Sequence, residues 1–228
     1  MKILNIDVND TPVELTANTV TIAGIDIDII DGPIGITMSG GADSSLLCYI
    51  LMKYATGPIH IINFSAKYHQ WASPGNVADV VGFCIDNTGF DSSSVFMNTY
   101  FMPQKTIPVM AGLIKSYTQQ KIVPIVYGAT TSTPPEEDLK FFKVRTIDYI
   151  STSRDPKISR ELISPIGYYR PFFNIDKKQI KNMYDELGLT ETLFPITRSC
   201  DNPKVKTGHC NGKCWWCEER KWAFGTYE

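Results

Sequence analysis

Apolar side chains fall at every second position over residues 3–30, most clearly in TVTIAGIDIDII, residues 19–30. A period of two is the spacing of a half-buried strand, so this segment is predicted as antiparallel strands or hairpins ahead of the main fold. From Ile34 the pattern changes to the short apolar runs IGITM, IHIINF, SVFMN and KIVPIVYG, separated by longer stretches with helical spacing. Such alternation predicts βαβ units and an α/β fold, a mostly parallel sheet with helices on both faces. Right-handed crossovers then carry the C-terminal ends of the strands to one edge, where open α/β sheets bind their ligands.

One later helix can be read to both ends. In NIDKKQIKNMYDELGLT, Asp176 suits the N-cap with Gln179 three residues on, Ile180, Met183, Tyr184 and Leu187 share one face, and Gly188 suits the position after the last turn. Lys177 and Lys178 break the pattern, since two cations in a first turn oppose the helix dipole by about 0.3 to 1 kcal/mol each. A phosphate nearby reverses that sign; solvation at the surface is the plain alternative.

With 228 residues and 43% apolar content the chain can bury a core as one domain with a small appendage. Net charge is −2 and the basic residues are dispersed, so no electrostatic footprint argues for nucleic acid or an anionic membrane. The opening MKILNIDVNDTPVELT is interrupted by Asp, Asn and Pro too early for a signal peptide, and no apolar run approaches the roughly 20 residues a bilayer requires. A cytoplasmic protein is expected. Six cysteines then suggest metal or catalysis more than disulfides. Cys48 and Cys84 lie on apolar helical stretches and are expected to pack in the core.

Two stretches carry chemistry. ITMSGGADSSLLC, residues 36–48, joins a strand to a helix through a glycine-rich turn, which aims several backbone N–H groups at one spot and attracts an anion. Gly40 and Gly41 permit close approach, Ser39, Ser44 and Ser45 offer hydroxyls, and Asp43 can hold Mg²⁺ or orient the loop. A capping turn with no ligand is the alternative. The GKS/GKT ending of a Walker loop and the Gly-x-Gly-x-x-Gly of a dinucleotide fold are both missing. Near the end, Cys200, Cys210, Cys214 and Cys217 fall in a loop rich in Gly, Asn and Lys. Four thiolates so spaced can close a tetrahedral Zn²⁺ site, worth about 10 to 16 kcal/mol of apparent binding energy in short peptides. An unliganded thiol cluster or disulfides are the alternatives. Trp215, Trp216 and Trp222 are expected to pack this lobe, and Arg145, Arg154, Arg160 and Arg170 have no spacing that selects among them.

Ser39-Gly40-Gly41-Ala42-Asp43-Ser44 resembles the SGGxDS signature of the PP-loop superfamily, HUP-like adenine nucleotide alpha hydrolases whose loop holds the β,γ-pyrophosphate of ATP while AMP is transferred. Thr197, Ser199, Cys200 and HCNGKCWWCEER, with Pro171, Lys177 and Ile180 in PFFNIDKKQI, are similar to the 7-cyano-7-deazaguanine synthase family of the queuosine pathway over residues 34–224. That family converts a 7-carboxy-deazapurine and ammonia to a nitrile, activating acid and then amide with ATP, and binds zinc through four cysteines. The resemblance implies ATP, Mg²⁺ and Zn²⁺. ATP would be bound by Ser39, Gly40, Gly41, Asp43, Ser44, Ser45, Gly128 and Lys177, and zinc by the four clustered cysteines. It divides the chain into a β-rich extension at 1–32, an ATP-binding domain at 33–190 and a zinc lobe at 191–228.

Several segments depart from the family. One extra residue separates Cys210 from Cys214, Pro103-Gln104-Lys105-Thr106 replaces proline-x-arginine-asparagine, GATTSTPPEED replaces the Asp-bearing segment of the purine pocket, and Lys67-Tyr68-His69 separates the basic residue from its histidine. Lys67, His69 and Lys105 follow strand ends on the binding edge and can supply cations to an activated carboxylate. An ordinary surface or packed position is the alternative for each. Three readings therefore stand: a carboxylate-adenylating amide or nitrile ligase, a PP-loop enzyme adenylating an RNA base for thiolation, and an ATP- and zinc-binding module without turnover. The expected partners are a small-molecule acid and ammonia. The oligomeric state is not fixed by the sequence, although related ligases often form dimers and a homodimer is among the expectations.

Overall fold

In the computed structural model, residues 2–8, 11–66, 74–102, 107–120, 122–140, 142, 167–199 and 214–227 are described. The alternating N-terminal segment forms an antiparallel sheet of β1 (Lys2–Val8), β2 (Thr11–Ile22) and β3 (Ile25–Ile30). Ala23 and Gly24 turn β2 into β3, both at positive φ, the combination that matches strand twist in a two-residue hairpin. Ile27, Ile29 and Ile30 of β3 are buried, and Asp28 accepts from Lys2 Nζ and from Thr19 Oγ1, each at 2.7 Å.

The second sheet contains β4 (Ile34–Met38), β5 (Ile59–Ala66), β6 (Val95–Met102), β7 (Val126–Tyr127) and β8 (Tyr168–Tyr169) in the order β6-β5-β4-β7-β8, with every pairing parallel. Helices α1 (Ala42–Tyr54), α2 (Pro74–Thr88), α3 (Ile107–Gln119), α4 (Glu136–Leu139), α5 (Lys177–Glu186) and α6 (Trp215–Phe224) complete the described elements. Both faces of the sheet are covered, as the continuous apolar runs predict. Ile36, Met38, Ile59, Ile61 and Tyr127 join α1, α2 and α5 in the larger core, while Ile62, Phe64 and Val126 face Ile114 and Tyr117 of α3. The run KIVPIVYG contributes a strand of only two residues, because Pro124 has no N–H to donate to a ladder. Val123 and Ile125 beside it are nevertheless fully buried.

The chain builds β4, β5 and β6 outward in one direction and then crosses to lay β7 on the other side of β4. This reversal makes the C-terminal ends of β4 and β7 the switch point of the sheet, the place where open α/β sheets bind ligands. Tyr127 ties the two sheets together: its buried hydroxyl accepts from Ile30 N at 2.9 Å and donates to Asp28 O at 2.7 Å. Ala23 N also donates to Glu186 Oε2 at 2.8 Å.

The expected capping of α5 is present. Asp176 accepts from Lys178 N and Gln179 N, Gln179 Oε1 accepts from Asp176 N, and Ile180, Met183 and Tyr184 are fully buried. Leu187 is half-buried at the last turn and Gly188 follows at φ +68°. Cys48 of α1 and Cys84 of α2 are buried thiols; a hydrogen bond with Cys48, followed by burial, pushes the Cys84 thiol well up. Among the described residues no helix is long and apolar enough to cross a membrane.

Candidate functional site

Ser39, Gly40 and Gly41 make the turn from β4 into α1, at the switch point where β4 neighbours β7. Gly40 has φ +76°, a backbone conformation that favours glycine, and a Cβ there would lie 2.0 Å from Asn76 Nδ2 and push that amide aside. Its carbonyl accepts from Asn76 Nδ2 at 3.1 Å and from Arg198 N at 2.8 Å. Tyr184 of α5 donates to Ala42 O at 2.8 Å. The loop is thus clamped by α2, by α5 and by the segment after the 3₁₀ turn Phe194–Ile196.

The serines divide their work. Ser39 and Ser44 hydroxyls are hydrogen-bonded at 3.1 Å, Ser44 Oγ accepts from Ser39 N, and Ser39 Oγ accepts from Gly41 N, so these two brace the turn itself. Ser45 is fully buried, and its hydroxyl has no hydrogen-bond partner among the described residues. The amides of the first turn of α1 have no acceptor within the helix, which is what an incoming anion needs.

Lys177 decides the electrostatics. Its Nζ donates to both oxygens of Asp43, at 2.6 and 2.5 Å, and lies 3.8 Å from Glu219 Oε2 of α6. Lys177 is 6% exposed, which overturns the solvated-surface alternative: its charge in the first turn of α5 is met by two carboxylates. Lys178 does stay at the surface, 3.1 Å from Asp138 Oδ2 and 4.3 Å from the centre of the Trp222 ring. Behind this cluster, buried Arg220 donates to Thr197 Oγ1 at 2.7 Å and to Phe194 O at 3.1 Å, and its guanidinium lies 3.7 Å over the Phe194 ring. Burial pulls its pKa down to about 10 against the attraction of Tyr184 and Asp43.

Gly128 ends β7 on the same edge, where a Cβ would lie 1.9 Å from the hydroxyl of Tyr168; the tyrosine fills the space a side chain would need. Arg170 lies 4.9 Å from the centre of the Phe173 ring, and burial lowers its pKa. Lys67, His69, Lys105, Cys200 and Cys210 lie outside the described residues. Cys214 Sγ is 3.1 Å from Cys217 Sγ, and Trp215 is buried and stacked on Phe142 with ring centres 4.5 Å apart. Of the four cysteines expected to hold zinc, Cys214 and Cys217 are the two among the described residues. Among the described residues no group of three His, Cys, Asp or Glu side chains could hold a metal ion.

Sequence reasoning missed Asn76, Tyr184, Arg198, Glu219 and Arg220 as supports of the loop. Tyr184 is placed by its spacing on the apolar face of α5, though not as a support of the loop, and Glu219 leaves a trace in the pattern of α6. It falls four residues after Trp215 and four before Ala223, a charge on the face of α6 that both of those apolar residues bury.

No family model and no curated protein sequence matches the chain. Among solved structures it is similar to NMN synthetase from Francisella tularensis, at TM-score 0.42 and 13% identity over 71% of this chain and 63% of that one. It is also similar to the U34-tRNA thiolase NcsA from Methanococcus maripaludis with its [4Fe-4S] cluster, at TM-score 0.43 and 10% identity over 84% of this chain and 63% of the other. A predicted subunit of tRNA methyltransferase from Methanocaldococcus jannaschii matches at TM-score 0.32 and 18% identity, over 68% and 74% of the two chains. The chain thus spans less than two thirds of the length of the first two, and likenesses this distant assign it no activity.

Proposed function

We propose that the protein is an ATP-dependent, adenylate-forming ligase. It activates a carboxylate, 7-carboxy-7-deazaguanine or a related acid, for amide and nitrile formation with ammonia, releasing AMP and pyrophosphate. The observation that carries this reading is the Ser39–Ser45 loop at the sheet's reversal point, with first-turn amides, a partly exposed Asp43 and a buried lysine converging there. Oxygen donors of this kind suit Mg²⁺, which commonly takes one or two carboxylates together with substrate phosphates. Asp43 would hold it with a serine hydroxyl, and the ion when bound would supply charge neutralisation at the phosphates.

The loop amides and Lys177 grip the β- and γ-phosphates, leaving the α-phosphorus open. A carboxylate oxygen of the acid attacks that phosphorus, the bond to the β-phosphate oxygen breaks, and pyrophosphate leaves. Ammonia adds to the acyl carbon of the adenylate, loses a proton and expels AMP, giving the amide. The amide oxygen then attacks the α-phosphorus of a second ATP, the bond to its β-phosphate oxygen breaks and a second pyrophosphate leaves; loss of both N–H protons and cleavage of the C–O bond to expel AMP yield the nitrile. Lys67, His69 and Lys105 are proposed to neutralise the acid and its tetrahedral intermediate. Cys200, Cys210, Cys214 and Cys217 are proposed as Zn²⁺ ligands in the reduced protein, and elemental analysis of reduced protein is expected to find about one zinc per chain. A base-thiolating enzyme needs a reachable thiol, which the fully buried Cys48 and Cys84 do not offer.

The test is incubation with 7-carboxy-7-deazaguanine, ammonium and Mg·ATP, followed by mass analysis. Amide, nitrile and AMP are expected. ADP as the only nucleotide product refutes the assignment.

A further inference from the structure

The cluster beneath the loop contains one carboxylate more than the proposed grip on ATP requires. Lys177 is held by Asp43 through two short bonds, yet Glu219, fully buried and on a different helix, stands 3.8 Å from the same Nζ. If Asp43 is to serve a divalent cation, Lys177 loses its two strongest contacts at that moment. A buried ammonium without a counter-charge is strongly disfavoured, so it would either retract from the loop or drag Asp43 back. Glu219 cannot follow Asp43 outward. Its neighbour Arg220 pins α6 to Thr197, Ser199 and Phe194, and Trp215 at the start of the helix is buried.

We propose that Glu219 is a positioning residue that keeps Lys177 seated in the cradle when Asp43 is taken by a divalent cation. This rests on the reading of the loop as an ATP site. Glu219 does not touch nucleotide; it makes the exchange of partners at Asp43 affordable by remaining behind as the second anion. A purely structural role for the same carboxylate predicts something different, namely a loss that is the same with or without metal.

The test is calorimetric titration of the reduced full chain with ATP, once with excess Mg²⁺ and once with chelator, using wild type, Glu219→Gln, Asp43→Asn and the double variant. Glu219→Gln is expected to weaken binding of Mg·ATP by about tenfold, within the range usual for coupled sites, and to leave metal-free ATP binding no weaker. In the Asp43→Asn background the second substitution is expected to add no further magnesium-dependent loss, because the exchange it supports no longer occurs. Equal weakening in both conditions, or none in either, overturns the role of Glu219. If Glu219→Gln does not fold, as judged by circular dichroism, Glu219→Asp, which keeps the charge on a side chain one methylene shorter, is expected to weaken binding of Mg·ATP and not of metal-free ATP; equal losses in the two conditions again overturn the proposal. Wild type that fails to bind Mg·ATP removes the ATP reading and this inference together, whereas wild type that binds beside an unaltered Glu219→Gln removes only the inference.

Discussion

Lys177 shows how a single side chain can be anomalous locally and satisfied globally. On its own helix it opposes the dipole, and its compensation comes from Asp43, 134 positions earlier, and from Glu219, 42 positions later. The two halves of this arrangement are not equivalent. Lys177→Met removes the cation that both carboxylates approach and is expected to cost about 3 kcal/mol. Asp43→Asn leaves Lys177 with Glu219 and an amide acceptor and is expected to cost about 1 kcal/mol. Urea unfolding of both variants checks this order, and a larger loss for Asp43→Asn contradicts it. The glycines, the serines and Asp43 were legible in the sequence because a turn declares itself over six consecutive residues. Arg220 was not, and Glu219 only by its spacing from Trp215 and Ala223, since the burial of charges inside WWCEERKWAF depends on which other element covers them.

Among the elements, α5 was readable to both ends because caps are local chemistry: Asp176, Gln179 and Gly188 act within one turn of the helix they bound. The strand in KIVPIVYG was overread, since its hydrophobic run was visible but the interruption at Pro124 outweighed it. The C-terminal end of α5 also carries a pH dependence. A hydrogen bond from Lys181, and then one from Thr190, lowers the pKa of Asp185. A carboxyl whose folded pKa lies below its unfolded one stabilises the fold fully above the unfolded value, and that contribution fades as pH falls through the folded value. Because the Asp185 side chain is 45% exposed, solvent screening limits the effect to about 0.5 kcal/mol. Asp185→Asn is therefore expected to lower the melting temperature slightly at neutral pH, with the difference from wild type closing in acid.

Across the molecule, the alternation of strands and helices announced a parallel sheet, but not the order of its strands. That order depends on which side of β4 the later crossover lands, a matter of long-range packing that no local run records. The docking of the N-terminal sheet was hidden for the same reason. It hinges on Tyr127, whose hydroxyl serves Ile30 and Asp28 across nearly 100 residues of chain. Tyr127→Phe leaves a buried N–H without its acceptor and is expected to cost about 1 to 3 kcal/mol. Amide exchange at Ile30 is expected to accelerate more than exchange along β5; uniform acceleration would show that the hydroxyl has no special part in joining the sheets.

The paired thiols of Cys48 and Cys84 supply a natural stopwatch for the floor under the loop. They meet between α1 and α2 with no solvent exposure, so an alkylating reagent can reach them only when these two helices part. The half-time of their labelling, followed peptide by peptide, counts how often that floor comes apart, and a nucleotide seated above it is expected to slow the clock.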